Sequence, residues 1–418
     1  MSNKPFGYYN KLVSLELLIL KKTGHIHDMK RLFTFALLIS FSSVLAQSQY
    51  GFDKKEAKEM IALCNSFTYL DLFDSDSTII PEGYKKAYTS GTFGMDNKFQ
   101  VYIKNKVAII NLRGSTEKMM SWIENVYSAM IPAQGTIVLQ DQKFNYIFAK
   151  DTLAGVHAGY ALGIAYLHES LLTQIKYLNA LDVSDFIITG HSQGGALALL
   201  LRAYLENLPK GTFEKNNHYK TYAFAHPMVG NKAFSNAFDI HFTQKATVYS
   251  IINPADPIPK MPLTYQNNEP FSLEGAVSLF KNKEVNKGDV LLGLIMKRHE
   301  TMVTDYVQTI SNSATKQITR ELGSVEMPEY IDDINYSIIG KRIIIPPFDY
   351  PKILKDSSIL ENDSLMAIYP RNEAGDFINK ELYKSPPSFF QHKPHNYYVG
   401  MLKAYFPEEY AMLEEKYL

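Results

Sequence analysis

A serine lies between two glycines in the stretch FIITGHSQGGALALL, residues 186–200. The residues before this turn are β-branched and aromatic, as in a strand, and the residues after it are apolar, as in a helix. A sharp strand-to-helix turn presents a serine hydroxyl as a nucleophile, and it requires minimal side chains two residues away on either side. Gly190 and Gly194 meet that requirement. The stretch therefore predicts that Ser192 is a nucleophile for acyl transfer, with the backbone N–H of Gln193 as the first donor to the oxyanion.

The elements that must position this turn alternate along the chain from about residue 98. Strand patterns such as VAIINL, DFIITG and TVYSII are separated by helical patterns such as GYALGIAYLHESLLTQIKYLNAL. This alternation predicts an α/β fold with a mostly parallel central sheet and helices on both faces, in which a ligand binds at the carboxyl ends of the strands. The alternation weakens beyond Pro262, and we expect residues 263–388 to form a largely helical elaboration packed on the sheet.

The stretch GHSQGGALALL resembles the nucleophile turn of the class 3, or fungal-type, lipases, which have the α/β-hydrolase fold. Three further stretches agree with that family in order and spacing, namely NLRGSTEKMMSWIENV, VHAGY and YAFAHPMVGN. The resemblance covers about residues 98–262, and it implies a hydrolase of carboxylic esters that acts on lipids. Gln193 stands where the family usually has leucine, and Ala225 and His226 stand where it commonly has glycine and a small residue.

The resemblance also implies functions for the residues after the strand VAIINL. The backbone N–H of Ser115 would be the second donor of the oxyanion hole. Apolar residues then recur at helical spacing with polar residues opposite, which predicts an amphipathic helix ending at Pro132. Such a helix is commonly part of a core, but its place after Ser115 and the chain's only tryptophan favour a lid that opens onto a lipid–water interface. The residues assigned to the lid are Met119, Trp122, Ile123 and Val126.

The catalytic acid of an α/β-hydrolase follows the nucleophile in the chain, and the histidine follows the acid. Asp256, in SIINPADPIPKMP, comes directly after the strand pattern 246–252 and is expected at the carboxyl edge of the sheet. The family's pattern Asn-x-x-Asp-Pro-x-Pro fits the same place. Asp239 is the competing acid, but it lies before this strand in a stretch with a helical pattern. We therefore predict Asp256 as the acid.

Three histidines follow Asp256 and are candidates for the general base. His299 lies in the helical pattern GDVLLGLIMKRHETMVTDYVQTI, where a surface or core position is expected. His395 lies in SFFQHKPHNYYVGMLKAYF, at the start of an amphipathic helix, which resembles the family's histidine followed by a helix with an early tyrosine. We predict His395 as the base, and chain order alone leaves His299 and His392 open.

Residues 29–46 have the pattern of a secretory signal peptide. Met29 is followed by two basic residues, an apolar run and small residues before an expected cut after Ala46. We therefore expect export to the periplasm or out of the cell, with translation starting naturally at Met29. Residues 1–28 would be an upstream extension that is not native, and residues 47–418 would be the mature hydrolase.

The composition argues against several other classes of function. Lys plus Arg and Asp plus Glu number 43 each, so the chain has no basic excess for binding nucleic acid. Cys64 is the only cysteine, which excludes an intramolecular disulfide and a metal held by a cluster of cysteines. No later apolar run reaches the about 20 residues of a membrane-spanning helix. Acyl transfer by a serine needs no metal or organic cofactor, so the expected partner is a lipid or another ester substrate.

Overall fold

The computed structural model describes residues 51–262, 303–387, 389–413 and 416. In chain order its strands are β1 (Lys85–Thr89), β2 (Phe99–Lys104), β3 (Val107–Leu112), β4 (Met130–Pro132), β5 (Gln134–Leu139), β6 (Gln142–Ile147), β7 (Gly155–His157), β8 (Asp185–His191), β9 (His218–Phe224), β10 (Gly230–Asn231), β11 (Val248–Ile252), β12 (Val325–Glu326), β13 (Tyr336–Ser337) and β14 (Lys341–Ile344). Its α-helices are α1 (Lys54–Phe73), α2 (Met119–Val126), α3 (Ala158–Ala180), α4 (Gln193–Glu206), α5 (Lys232–Phe238), α6 (Val303–Leu322), α7 (Asp363–Ile368), α8 (Pro394–Tyr405) and α9 (Pro407–Met412).

Seven of these strands form the central sheet, in the order β1-β2-β3-β8-β9-β11-β14. The five strands from β3 to β14 run parallel, and β2 and β1 extend the sheet antiparallel at one edge. Gly190 of β8 pairs with Leu112 of β3 and Ala223 of β9, so these three strands end at the same edge of the sheet. This mostly parallel sheet confirms the predicted α/β-hydrolase fold, and it places the turn after β8 where such sheets bind their ligands.

Helices cover both faces of the sheet. On one face, α3 and α4 belong to the larger core. α4 is buried along nearly its whole length; most of its residues are apolar or small, and the polar Gln193 and Arg202 are buried with them. On the other face, α1 and α8 pack against the sheet in a second core that includes Met60, Tyr222, Tyr397 and Met401. None of the helices among the described residues is both long and apolar enough to cross a membrane.

The chain beyond residue 303 adds one strand to each of three sheets. β12 pairs with β5, β13 pairs with β10, and β14 pairs in parallel with β11 at the edge of the central sheet. The sheet contact continues for one more residue, since the backbone N–H of Ile345 donates to the carbonyl of Ile252 at 3.0 Å. Up to residue 387 the α-helices of this part are α6 and α7, so short strands and turns hold the rest of it on the core. His299, the alternative base, lies outside the described residues.

Candidate active site

The turn after β8 has the strained geometry that the sequence pattern predicts. Ser192 has φ 59° and ψ −127°, in the left-handed half of backbone space that non-glycine residues seldom adopt. A Cβ on Gly190 would lie 2.2 Å from the carbonyl oxygen of Gly194, and a Cβ on Gly194 would lie 2.2 Å from that of Leu112. Both glycines are therefore required by close backbone contacts, and together they let the chain turn at Ser192.

His392 joins Ser192 to Asp256. Its Nε2 lies 2.8 Å from Ser192 Oγ, and its Nδ1 lies 2.8 Å from Asp256 Oδ2. Asp256 is 1% exposed, whereas His392 is half-buried and so remains within reach of solvent. With Nδ1–H donating to the carboxylate, Nε2 is free to accept the Ser192 proton, which is the arrangement of a nucleophile, a base and an acid.

This geometry replaces His395 by His392 as the candidate base. Pro394 starts α8, so His395 lies in the first helical turn, where it is 5% exposed and its ring centroid is 6.4 Å from that of Tyr398. His392 instead lies in the single 3₁₀ turn Phe390–His392 before the helix. Because this turn is not constrained by the α-helix, it can direct the imidazole to both Ser192 and Asp256.

Asp256 is held by two donors besides His392. The hydroxyl of Tyr397 donates to Asp256 Oδ2 at 2.7 Å, and the backbone N–H of Ile258 donates to Oδ1 at 2.9 Å. The Tyr397 oxygen also accepts the backbone N–H of Asn253 at 3.1 Å. Burial, reinforced by the carboxylate, raises the pKa of Tyr397 well above its ordinary value, so this hydroxyl keeps its proton and continues to donate it.

The loop that carries His392 is anchored through its neighbour Gln391. Gln391 Oε1 accepts from Asn253 Nδ2 at 2.6 Å and from the backbone N–H of Phe348 at 3.1 Å. On the other side, the His392 ring packs against His191, with 4.8 Å between ring centroids. Burial, together with the nearby His392, holds the pKa of His191 well below its usual range, so a neutral ring faces the candidate base.

The two predicted oxyanion residues lie together at this turn. Gln193 is the first residue of α4, so its N–H is among those that a helix leaves without an intrahelical acceptor. The side chain of Ser115 donates to Gln193 Oε1 at 2.9 Å and accepts from Asn125 Nδ2 at 2.9 Å. A Cβ on Gly114 would lie 2.8 Å from the carbonyl oxygen of His191, which brings the Ser115 loop against the backbone of the turn.

Asp96 fixes the loop that contains Ser115. This residue is 6% exposed, and its carboxylate accepts from Thr116 Oγ1 at 2.6 Å and from Lys118 Nζ at 2.8 Å, with Arg113 Nη2 at 3.0 Å. Burial by itself raises the pKa of Asp96, but the hydrogen bonds from Lys118 and Thr116 and the charge of Arg113 outweigh it and lower that pKa. The ionised Asp96 thus binds residues on both sides of Ser115, Arg113 before it and Thr116 and Lys118 after it.

Helix α2 buries its polar residues more deeply than its apolar ones, which is the reverse of what an amphipathic pattern usually indicates. It ends at Val126, and Met130 lies in β4 instead of extending the helix to Pro132. Its polar residues Ser121 and Glu124 are 1% and 0% exposed, respectively. The four residues that the sequence assigned to a lid face are half-buried, namely Met119, Trp122, Ile123 and Val126. The centroid of the Trp122 ring lies 6.5 Å from that of Phe389. Phe389 belongs to the loop that leads to His392.

Sequence reasoning missed Tyr397, Gln391 and the side-chain role of Gln193. Tyr397 has a signal in the sequence, since it is an early tyrosine of the helix that follows the candidate histidines, as in the resembling family. Gln193 has a partial signal, because it stands where the resembling family usually has leucine. Gln391 has none, because the bonding of a half-buried glutamine depends on the partners that the fold brings to it. Among the described residues no group of His, Cys, Asp or Glu side chains could hold a metal ion.

The fold and the site together define an α/β-hydrolase with a serine, histidine and aspartate at the carboxyl edge of its sheet. Residues 109–266 match the family model described as Lipase (class 3), which confirms the predicted resemblance over that part of the chain. The secreted mono- and diacylglycerol lipase 1 of Fusarium solani is 26% identical over 139 residues, which are 32% of this chain and 39% of that protein. The corresponding lipase 3 of Gibberella zeae is 26% identical over 140 residues, 34% of this chain and 42% of that protein.

The match thus spans about two fifths of the length of these curated relatives. Among solved structures, lipase II from Rhizopus niveus has 18% sequence identity and a TM-score of 0.38, over 50% of this chain and 75% of that one.

Proposed function

We propose that this protein is a serine hydrolase that cleaves carboxylic esters of lipids through an acyl-enzyme. The observation that carries the proposal is the continuous hydrogen-bonded chain from Ser192 Oγ through His392 to Asp256, with the two oxyanion candidates beside it. A buried carboxylate that orients a histidine toward a serine is the arrangement that activates a hydroxyl nucleophile.

The reaction follows from this geometry in two halves. Ser192 Oγ attacks the ester carbonyl carbon while its proton passes to His392 Nε2, and Asp256 stabilises the imidazolium that forms. The backbone N–H groups of Ser115 and Gln193 donate to the oxyanion. The carbon–oxygen bond to the alcohol then breaks, and Nε2 returns the proton to the leaving alkoxide. A water molecule, deprotonated by the same Nε2, attacks the acyl carbon and releases the acid and Ser192.

Acylglycerols are the first substrates to test. The names of the two curated relatives describe lipases of mono- and diacylglycerols, and the family match over residues 109–266 contains Ser192. A carboxylesterase or a phospholipase A1 on the same scaffold is the alternative within the same chemistry, since a fold alone does not define the substrate.

The decisive experiment compares wild type with Ser192→Ala on a panel of esters of increasing acyl length, together with labelling by a fluorophosphonate. We expect wild type to hydrolyse the panel and to be labelled at Ser192, and the variant to do neither. A wild-type protein that is not labelled would instead indicate an inactive binding protein that keeps the turn for packing. The chain-length profile and a diacyl phospholipid included in the panel separate the lipase from its two alternatives.

Export is part of the proposal. The signal-peptide pattern over residues 29–46 and the word "secreted" in both relatives' names support it. Mass spectrometry of the protein from the periplasm or the medium should give an N-terminus near Gln47. A mature chain that retains Met1 would contradict both the leader and the start at Met29.

A further inference from the structure

The carboxamide of Gln193 links the nucleophile's helix to the oxyanion loop and to α2. Gln193 is 1% exposed, and its Oε1 accepts from Ser115 Oγ at 2.9 Å, from Asn125 Nδ2 at 3.0 Å and from Ser121 Oγ at 3.2 Å. Ser115 belongs to the oxyanion loop, whereas Ser121 and Asn125 belong to α2. One oxygen atom therefore receives donors from two different segments, the loop of Ser115 and helix α2.

The other end of the carboxamide continues the network under α2. Gln193 Nε2 donates to Asn97 Oδ1 at 3.3 Å, and Asn97 Nδ2 donates to Glu124 Oε2 at 2.7 Å. Glu124 is fully buried on the inward side of α2. Ser121, Asn125 and Glu124 Oε2 thus have hydrogen-bond partners inside the protein, although Glu124 Oε1 has none among the described residues. These partners favour a buried polar side for α2, while the apolar side is half-buried.

Helix α2 also fits closely against α3. A Cβ on Gly159 would lie 2.0 Å from the carbonyl oxygen of Glu124, and a Cβ on Gly163 would lie 2.4 Å from Glu124 Oε1. Asn125 is bound from the same side, since Tyr160 donates to its Oδ1 at 3.0 Å and His157 Nε2 lies 3.2 Å from its carbonyl oxygen. Moving α2 away as a lid would break these contacts and the bonds to Gln193 together.

We propose that the Gln193 side chain is a positioning residue that fixes Ser115 and α2 relative to Ser192, so that the hydrolase acts on esters dispersed as single molecules. This inference rests on the proposed function and specifies the physical state of the substrate, which is dissolved and not aggregated. Because Ser115 and α2 share one acceptor, displacement of the helix would also release the oxyanion residue. The site is therefore competent with α2 in place, and α2 is a wall of the site instead of a lid that opens at an interface.

The first test follows hydrolysis of tributyrin across its solubility limit. We expect the wild-type rate to saturate with dissolved substrate and to show no jump when droplets appear. A steep rise in rate at the limit would overturn the proposal, since it would mean that the site opens on contact with an interface. Ser192→Ala is measured in parallel, so that a failure of the proposed hydrolase function can be told from a failure of the proposal about Gln193 and α2. Hydrolysis that survives in this variant refutes the proposed function itself.

The second test replaces Gln193 with leucine, the residue that usually stands at this place in the resembling family. We expect kcat on dissolved p-nitrophenyl butyrate to fall by about 10- to 100-fold with little change in KM, because the oxyanion donor loses its position while the binding surface remains. Hydrogen exchange of the amides of residues 119–126 should become faster, and a rate jump with tributyrin droplets should appear. Unchanged kcat and unchanged exchange would refute the role of Gln193.

Two further variants guard against a simple folding defect. Ser121→Ala removes one donor to Gln193 from the α2 side without altering the nucleophile's helix, and we expect a smaller change in the same direction for kcat and for amide exchange. Gln174→Leu, a matched substitution at a half-buried position on α3, should change neither quantity. If Gln174→Leu reproduces the effect of Gln193→Leu, the effect is one of general stability and the proposal fails.

Discussion

His392 Nε2 lies 2.8 Å from Ser192 Oγ, although the two residues are 200 positions apart in the chain. The histidine reaches the serine because the chain after residue 303 returns to the sheet through β14, which pairs with β11. Gln391, next to His392, then binds Asn253 at the start of the loop that carries Asp256. The geometry of the base therefore depends on the part of the chain outside the family match, which ends at residue 266.

Replacing His392 by alanine should lower kcat by at least about 10⁴-fold, because the serine loses the group that accepts its proton. His395→Ala is the matched variant three residues away, and we expect it to keep kcat within about threefold while lowering the melting temperature, since His395 is 5% exposed in α8. Initial rates on p-nitrophenyl butyrate and thermal unfolding measure both. The reverse result, with activity lost only in His395→Ala, would restore the assignment that the sequence favours.

The hydroxyl of Tyr397 should matter to both stability and rate. Tyr397→Phe removes a donor from Asp256 Oδ2 and leaves the buried N–H of Asn253 without that acceptor. We expect the free energy of unfolding to fall by about 1–3 kcal/mol and kcat to fall up to about tenfold. Tyr398→Phe, at the next position of the same helix, is the control and should leave kcat unchanged. Urea unfolding and steady-state kinetics provide the comparison, and equal effects of the two variants would argue against a specific role.

Alanine at Gly190 should be incompatible with the observed turn. Its Cβ would lie 2.2 Å from the carbonyl oxygen of Gly194, which is backbone and cannot rotate away. We expect a loss of more than about 3 kcal/mol of stability and no measurable labelling of Ser192 by a fluorophosphonate. Gly91→Ala is the control, because no atom lies within 4 Å of a Cβ built there and its φ is not positive. A folded, labelled Gly190→Ala protein would refute the geometry of the turn.

Buried histidines, His157 and His226 among them, should make the protein sensitive to acid. Burial, partly offset by a backbone hydrogen bond, lowers the pKa of His157 to about 3 and that of His226 to about 4, from an ordinary value of 6.5. Between these values and pH 6.5 the unfolded chain binds more protons than the folded one, so the free energy of unfolding falls as the pH decreases through that window. At pH 5 each histidine should cost about 2 kcal/mol relative to neutral pH.

The check is urea unfolding at several pH values between 7.5 and 4.5. His226→Gln should reduce the slope of stability against pH, because one of the proton-binding groups of the unfolded state has been removed. His241→Gln, at an exposed position, should not reduce it. A wild-type protein with pH-independent stability in this range would contradict the buried, neutral state of both histidines.

The elements around the nucleophile could be predicted because their signals are local. The strand before Gly190, the two glycines and the apolar helix after them occupy one stretch of the chain, and Asp256 follows its own strand directly. The base could not be selected in this way. His392 and His395 are three residues apart, and the difference between them is that Pro394 starts the helix between them, which decides which ring is free to turn toward Ser192.

The side of α2 that faces inward could not be predicted from the sequence, for a different reason. An amphipathic pattern shows that a helix has two sides, but the side that faces inward depends on which partners the rest of the fold supplies. Here Asn97, Gln193 and Tyr160 supply hydrogen-bonding groups from three other segments, so the polar side of α2 is the buried one. No local pattern records such long-range partners.

The position of β14 at the edge of the central sheet has a consequence for how activity is lost. Among the described residues β14 pairs with β11 on one side only. The chain that follows β14 provides Phe348, which binds Gln391 beside the candidate base. Separation of this single strand would remove the imidazole from the serine while the turn at Ser192 and the rest of the sheet stay intact. Inactivation in mild denaturant should therefore precede the loss of secondary structure, and recovery on dilution should need only the re-pairing of one strand.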